Sequence, residues 1–110
     1  MPDPASRDAS AEAEIANLTG KLSRNPTSRL FAPLAEALRR AGRVSEAIDV
    51  ASRGLGHHPD YLAGKLVLAR AHYDSGELAR AAPAFEEVVQ VDPHNVVALR
   101  ALGEVALERG

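Results

Sequence analysis

LAGKLVLARAHYDSGELARAAPAFEEVVQVDP, running from Leu62 to Pro93, reads as two amphipathic helices joined by a Ser75-Gly76 turn and closed by Asp92-Pro93. The first helix offers Leu62, Leu66, Leu68, Ala69 and His72 or Tyr73 for packing, and the second offers Ala81, Ala82, Phe85, Val88 and Val89. Gly76 stops the first helix, because glycine enters the left-handed conformation without a Cβ penalty. The residue before Pro93 is biased out of the helical region, which stops the second. Pro83 falls inside that second helix and predicts a kink. Nothing in the stretch alternates with period two, so it predicts helices and no strand.

Flanking segments echo this hairpin. Residues 1–10 are Pro, Asp, Ser and Ala with nothing to bury, and predict a disordered tail. From Ala11 a helix carries Ile15, Leu18 and Leu22 on one stripe until Asn25-Pro26. Thr27 or Ser28 can cap the next, which holds Leu30, Phe31, Leu34, Ala35, Leu38 and Ala41 on one side and stops at Gly42. Pro33 requires that helix to start late or to bend. A third runs from Val44 or Ser45 to Leu55 with Ala47, Ile48 and Ala51 inward, and Gly54 and Gly56 weaken its end. After Pro93, Asn95 can cap a last helix, Val96 to Glu108, with Leu99, Leu102, Gly103, Ala106 and Leu107 apolar or small.

These helices repeat at a fixed interval. Leu34, Leu68 and Leu102 are 34 residues apart, as are Gly42, Gly76 and Gly110. Ala35, Ala69 and Gly103 keep the interval of 34, as do Ala47 and Ala81, and Pro59 and Pro93. Agreement over so many columns marks a repeat architecture, in which each unit leaves a face bare and neighbours must stack. In this respect the chain resembles the tetratricopeptide repeat family, whose unit is a 34-residue helix-turn-helix with large, Leu, small and aromatic positions followed by Ala, Phe and Pro. Phe31, Leu34, Ala35, Leu38, Ala47, Ala51 and Pro59 fill those positions once, and Lys65, Leu68, Ala69, His72, Ala81, Phe85 and Pro93 fill them again.

The resemblance implies an all-α, right-handed superhelix of about six antiparallel helices. It divides the chain into a half unit at 11–26, units at 27–59 and 60–93, and a half unit at 94–110. It also implies that the first helix of each unit lines a concave groove where a partner protein or peptide lies. The groove residues it points to are Arg29, Glu36, Arg39 and Arg40, then Leu66, Arg70, Tyr73 and Asp74, then Arg100 and Glu104. Arg70, Arg100 and Tyr73 stand out, since Arg and Tyr dominate binding hot spots. Members that clamp a partner's terminal carboxylate use Lys, Asn and Arg where this chain has Ala32, Glu36, Val67, Val97 and Ala101, so that specialisation is not expected. Two alternatives stand beside the groove reading. The chain could self-associate into a homo-oligomer through the uncovered face of its last helix, or form the interaction arm of a longer protein.

Composition excludes other classes. Net charge of −2 gives no electrostatic case for nucleic acid. The sequence has no Cys, and its histidines, His57, His58, His72 and His94, are loosely spaced, so neither a metal nor another cofactor is expected. No catalytic motif is present, and no enzyme activity is expected. Met1 to Ala13 lacks an apolar run and carries Asp3, Asp8 and Glu12, unlike a secretory signal. No apolar window reaches the roughly 18 residues of a membrane span, and the default location is the cytoplasm. Arg outnumbers Lys eleven to two, read as the habit of a GC-rich bacterial genome.

Overall fold

The computed structural model describes residues 4–108 of the chain. They form α1 (Pro4–Arg24), α2 (Phe31–Arg40), α3 (Val44–His57), α4 (Leu62–Asp74), α5 (Leu78–Val91) and α6 (Val96–Glu108), with no strand among the described residues. The α2–α3 and α4–α5 hairpins pack most closely, and α1, α3 and α5 each lean on the helix that follows. α2 also touches α4 directly, so the first helices of successive units share a wall. The radius of gyration is 14.6 Å, above the roughly 13 Å of a compact globule of this length, as stacked hairpins require.

The two hairpin turns are copies of one another. Gly42 and Gly76 have φ of 82° and 81°. After α2 the Arg43 N–H donates to the Leu38 carbonyl at 2.9 Å and the Gly42 N–H to Arg39 at 3.0 Å. After α4 the Glu77 N–H donates to His72 at 2.9 Å and the Gly76 N–H to Tyr73 at 3.0 Å. Each turn therefore closes its helix by satisfying two end carbonyls, which only a left-handed residue permits. The small-residue columns lie at the crossings: Ala35, Ala47, Ala51, Ala69 and Ala81 are all 0% exposed. Methyl-sized side chains let the two helices of a unit approach closely.

Each full unit is filled by one phenylalanine, supplied from opposite helices. Phe85 of α5 is 1% exposed beside Val88 at 0%. In the first unit those columns hold Ala51 and Gly54, and the volume comes from Phe31 of α2, also 1% exposed. Its ring lies against the backbone of α3 and α4. A Cβ built on Gly54 would sit 1.9 Å from the Phe31 Cγ, and one on Gly64 2.7 Å from its Cζ. His58 stacks on the ring at 6.3 Å and Tyr61 meets it edge-on at 5.8 Å. His58 thus packs as well as turning the chain, and its Nε2–H donates to the Thr27 carbonyl.

Some expectations shift. α1 begins at Pro4, so residues 4–10 are helical rather than a disordered tail. Proline suits a first helical position, where no N–H is needed, and alanines follow. Residues 1–3, Arg109 and Gly110 lie outside the described residues. α2 starts at Phe31, later than a Thr27 or Ser28 cap implies, and Ser28 Oγ instead accepts the Leu30 N–H at 3.1 Å. Pro33 then falls in the first turn, where no intrahelical bond is lost. α5 runs unbroken across the exposed Pro83. Asn95 does cap α6, its Oδ1 accepting the Ala98 N–H at 2.9 Å. In α6 the buried residues are Ala98 and Val105, while Leu99 and Leu107 are 46% and 82% exposed.

Candidate functional site

The first helices of the first two full units, α2 and α4, carry a connected set of polar side chains centred on Glu36. Its carboxylate is held bidentately by Arg39, at 2.8 Å from Nε and 3.1 Å from Nη2. Arg40 Nε lies 3.2 Å and Arg70 Nη1 3.3 Å from its Oε2. Burial pushes the Glu36 pKa up, but the Arg39 hydrogen bond and the charges of Arg39, Arg70 and Arg40 outweigh it and hold the group below its ordinary value. Arg39 is pushed above its ordinary value by the Glu36 hydrogen bond, against burial, with help from Asp74.

The links between units keep one register. Arg39 Nη1 donates to Asp74 Oδ2 at 2.7 Å across 35 residues, and Tyr73 Oη donates to Glu108 Oε1 at 2.9 Å across the same 35. The Glu108 hydrogen bond, burial, and the charges of Glu108 and Glu104 push the Tyr73 phenol up to about 12. The repeat thus sets both the fold and the side-chain ties across its inner wall.

Two hollows open along this wall. One of about 270 Å³ is apolar, lined by Ala32, Pro33, Tyr61, Ala63, Leu66 and Val67, with Glu36 and Arg70 at its edge. The other, about 230 Å³, is polar: Arg39, Arg70, Tyr73, Asp74, Arg100 and Glu104 surround a floor of Phe85, Val97 and Ala101. Arg70 lines both and joins them. A larger hollow of about 470 Å³ lies elsewhere, in the seam between α1 and the α2–α3 hairpin; its walls include Ile15, Leu22 and Leu34, side chains of the core stripe.

Of the groove residues expected from the sequence, Glu36, Leu66 and Arg70 meet at the apolar hollow, and Arg39, Tyr73, Asp74, Arg100 and Glu104 at the polar one. Arg29 stands outside both, its guanidinium 5.5 Å from the Tyr61 ring centroid. Arg40 has a side chain 74% exposed and lines neither hollow. Sequence reasoning passed over Tyr61, the aromatic wall of the apolar hollow. Its column, 34 residues from Thr27 and from Asn95, holds small helix-capping types, and an aromatic there was the available signal. His72 is buried in α4, its Nδ1 3.6 Å from Glu77 Oε1. Among the described residues no group of His, Asp or Glu could hold a metal ion, and no helix is long and apolar enough to cross a membrane.

Comparison with known proteins agrees with the repeat. A profile described as tetratricopeptide repeat matches residues 66–110. "Protein CTR9 homolog" of Arabidopsis thaliana is 40% identical over 68 residues, which is 61% of this chain and 6% of that protein. The chain therefore spans a small part of the relative it matches. Repeats of this family are non-catalytic modules generally associated with protein–protein interaction. The profile match places residues 66–110 in the tetratricopeptide repeat family, and the 34-residue columns and stacked antiparallel pairs carry the same unit back to the first hairpin.

Proposed function

We propose that this chain is a protein-interaction scaffold that holds a segment of a partner protein along the wall formed by α2, α4 and α6. The observation that carries the reading is the pair of adjoining hollows, one apolar and one polar, joined at Arg70. Helices built before the partner arrives keep the ordering cost on this side low. The groove positions are Arg29, Glu36, Arg39, Arg40, Leu66, Arg70, Tyr73, Asp74, Arg100 and Glu104, acting in the cytoplasm. The test is affinity capture from the source cell with wild-type protein and an R70E/Y73A variant of unchanged helicity. Partners lost from the variant support the groove; an identical captured set refutes it.

A second reading is favoured by α6, where Val96, Leu99 and Leu107 are 66%, 46% and 82% exposed. This face either pairs with another copy or is covered within a longer protein. Light scattering over a concentration range separates the two, since a strict monomer at high concentration removes self-association.

A further inference from the structure

The polar hollow is unevenly committed. Arg39 is engaged by Glu36 and Asp74 at once. Arg70 makes a single 3.3 Å contact, to a Glu36 oxygen that Arg39 and Arg40 already hold. Arg100 lines the same hollow and makes no ion pair among the described residues. Two guanidinium groups on adjacent first helices therefore face one cavity with donors to spare. A planar fork of N–H groups matches a carboxylate better than any other common side-chain partner. The adjoining hollow, walled by Tyr61, Ala63, Leu66 and Val67, is mostly apolar and has room for an aliphatic side chain, with the Tyr61 phenol its one polar wall group among those four.

We infer that the partner segment carries an aliphatic side chain followed or preceded within a few residues by an internal Asp or Glu, the first seated against Leu66 and Val67, the second bound between Arg70 and Arg100. This rests on the groove reading above. Asp74 and Glu104 line the same hollow, but Asp74 is taken by Arg39, and the spare donors of Arg70 and Arg100 select the acid. The wall continues on both sides of the hollow, along α2 and α6, so the segment can run through.

The test is a short random-peptide library displayed as internal inserts and selected on the protein, with the enriched peptides then synthesised with both ends capped and measured by fluorescence anisotropy. The expected result is enrichment of an aliphatic residue near Asp or Glu, with affinity falling as salt rises. R70Q/R100Q weakens such a peptide about tenfold, the size of one charge-assisted hydrogen bond in a partly screened site. The same variant leaves the Asp→Asn or Glu→Gln form of the peptide unchanged. R100E, a surface substitution checked for helicity by circular dichroism, turns selection toward basic peptides. Enriched peptides that lack acidic residues overturn the proposed chemistry, as does a version with a free C-terminus that binds much more tightly than the capped one; if L66E still abolishes their binding, the groove reading survives. Peptides indifferent to both L66E and R70Q/R100Q, or no enrichment at all, overturn both.

Discussion

Gly54→Ala is the sharpest test of how the first unit is built. In a solvent-facing helix this change stabilises by about 0.5–1 kcal/mol, because alanine loses less backbone entropy. Here the new Cβ would lie 1.9, 2.1 and 2.4 Å from three ring atoms of Phe31. The ring is 1% exposed and bounded by Gly64, His58 and Tyr61, so its one way to yield is toward the seam hollow that it lines together with Gly54. Complete loss of a packed Phe costs about 3–5 kcal/mol, and overpacking with partial relaxation about 1–3. Subtracting the propensity gain leaves a net loss of about 0–2.5 kcal/mol for overpacking with relaxation, rising to about 2–4.5 kcal/mol if the ring is expelled. For a domain of this size each kcal/mol is a fall in Tm of roughly 4–8 °C. Gly56, two residues on in the same helix, is the control: nothing lies within 4 Å of its built Cβ, and Gly56→Ala is expected to gain about 0.5 kcal/mol. The assay is thermal and urea unfolding followed by circular dichroism, completed by a cycle with Phe31→Ala. With the ring gone, Gly54→Ala should cost nothing. The reasoning is refuted if both glycine changes stabilise alike, or if Gly54→Ala costs the same with and without the ring.

Other expectations can be checked with the same methods. Ala69→Leu, at a helix crossing with 0% exposure, should destabilise by about 1–3 kcal/mol in urea unfolding. Gly42→Ala and Gly76→Ala meet no atom within 4 Å but need φ of +82° and +81°, so each should cost about 1–2 kcal/mol from backbone strain alone, and nearly the same amount. The folded pKa of Glu36 lies below its ordinary 4.5. Its stabilising effect is therefore complete above that value and lost as pH falls through the folded pKa; Glu36→Gln should flatten the acid limb of the stability profile, seen as a gap from wild type that closes at low pH. Absorbance titration of a Tyr61→Phe protein should show Tyr73 ionising near 12, and Glu108→Gln should bring it back toward 10.0.

The period, the two glycine turns and the alanine crossings were legible because each is written locally and recurs. The helix starts were less so. Residues 4–10 lack apolar side chains yet continue α1, since Pro4 and the alanines permit a helix that nothing needs to bury. α2 begins where Pro33 allows, not where Thr27 or Ser28 suggests. The role of Gly54 was hidden for a different reason. Read alone it is a poor helix former; only the approach of Phe31, 23 residues away, makes it necessary. On the inner wall, the repeat register placed Arg39, Arg70, Tyr73 and Arg100 on one side, but which carboxylate each would take depended on side-chain reach between helices. Tyr61 escaped notice because it precedes its helix and enters the hollow from a turn.

The 35-residue ties give the stack unequal joints. Between the first and second units the tie is Arg39 to Asp74, reinforced by Glu36; between the second and the half unit after it, a single phenol-to-carboxylate bond from Tyr73 to Glu108. In mechanical terms the protein is a short spring, stiff at one coil and soft at the next. Salt relaxes the stiff coil by screening its ion pairs, while the soft one opens when Glu108 leaves Tyr73. If a partner segment spans α4 and α6, as proposed above, the compliant joint is where the stack yields first.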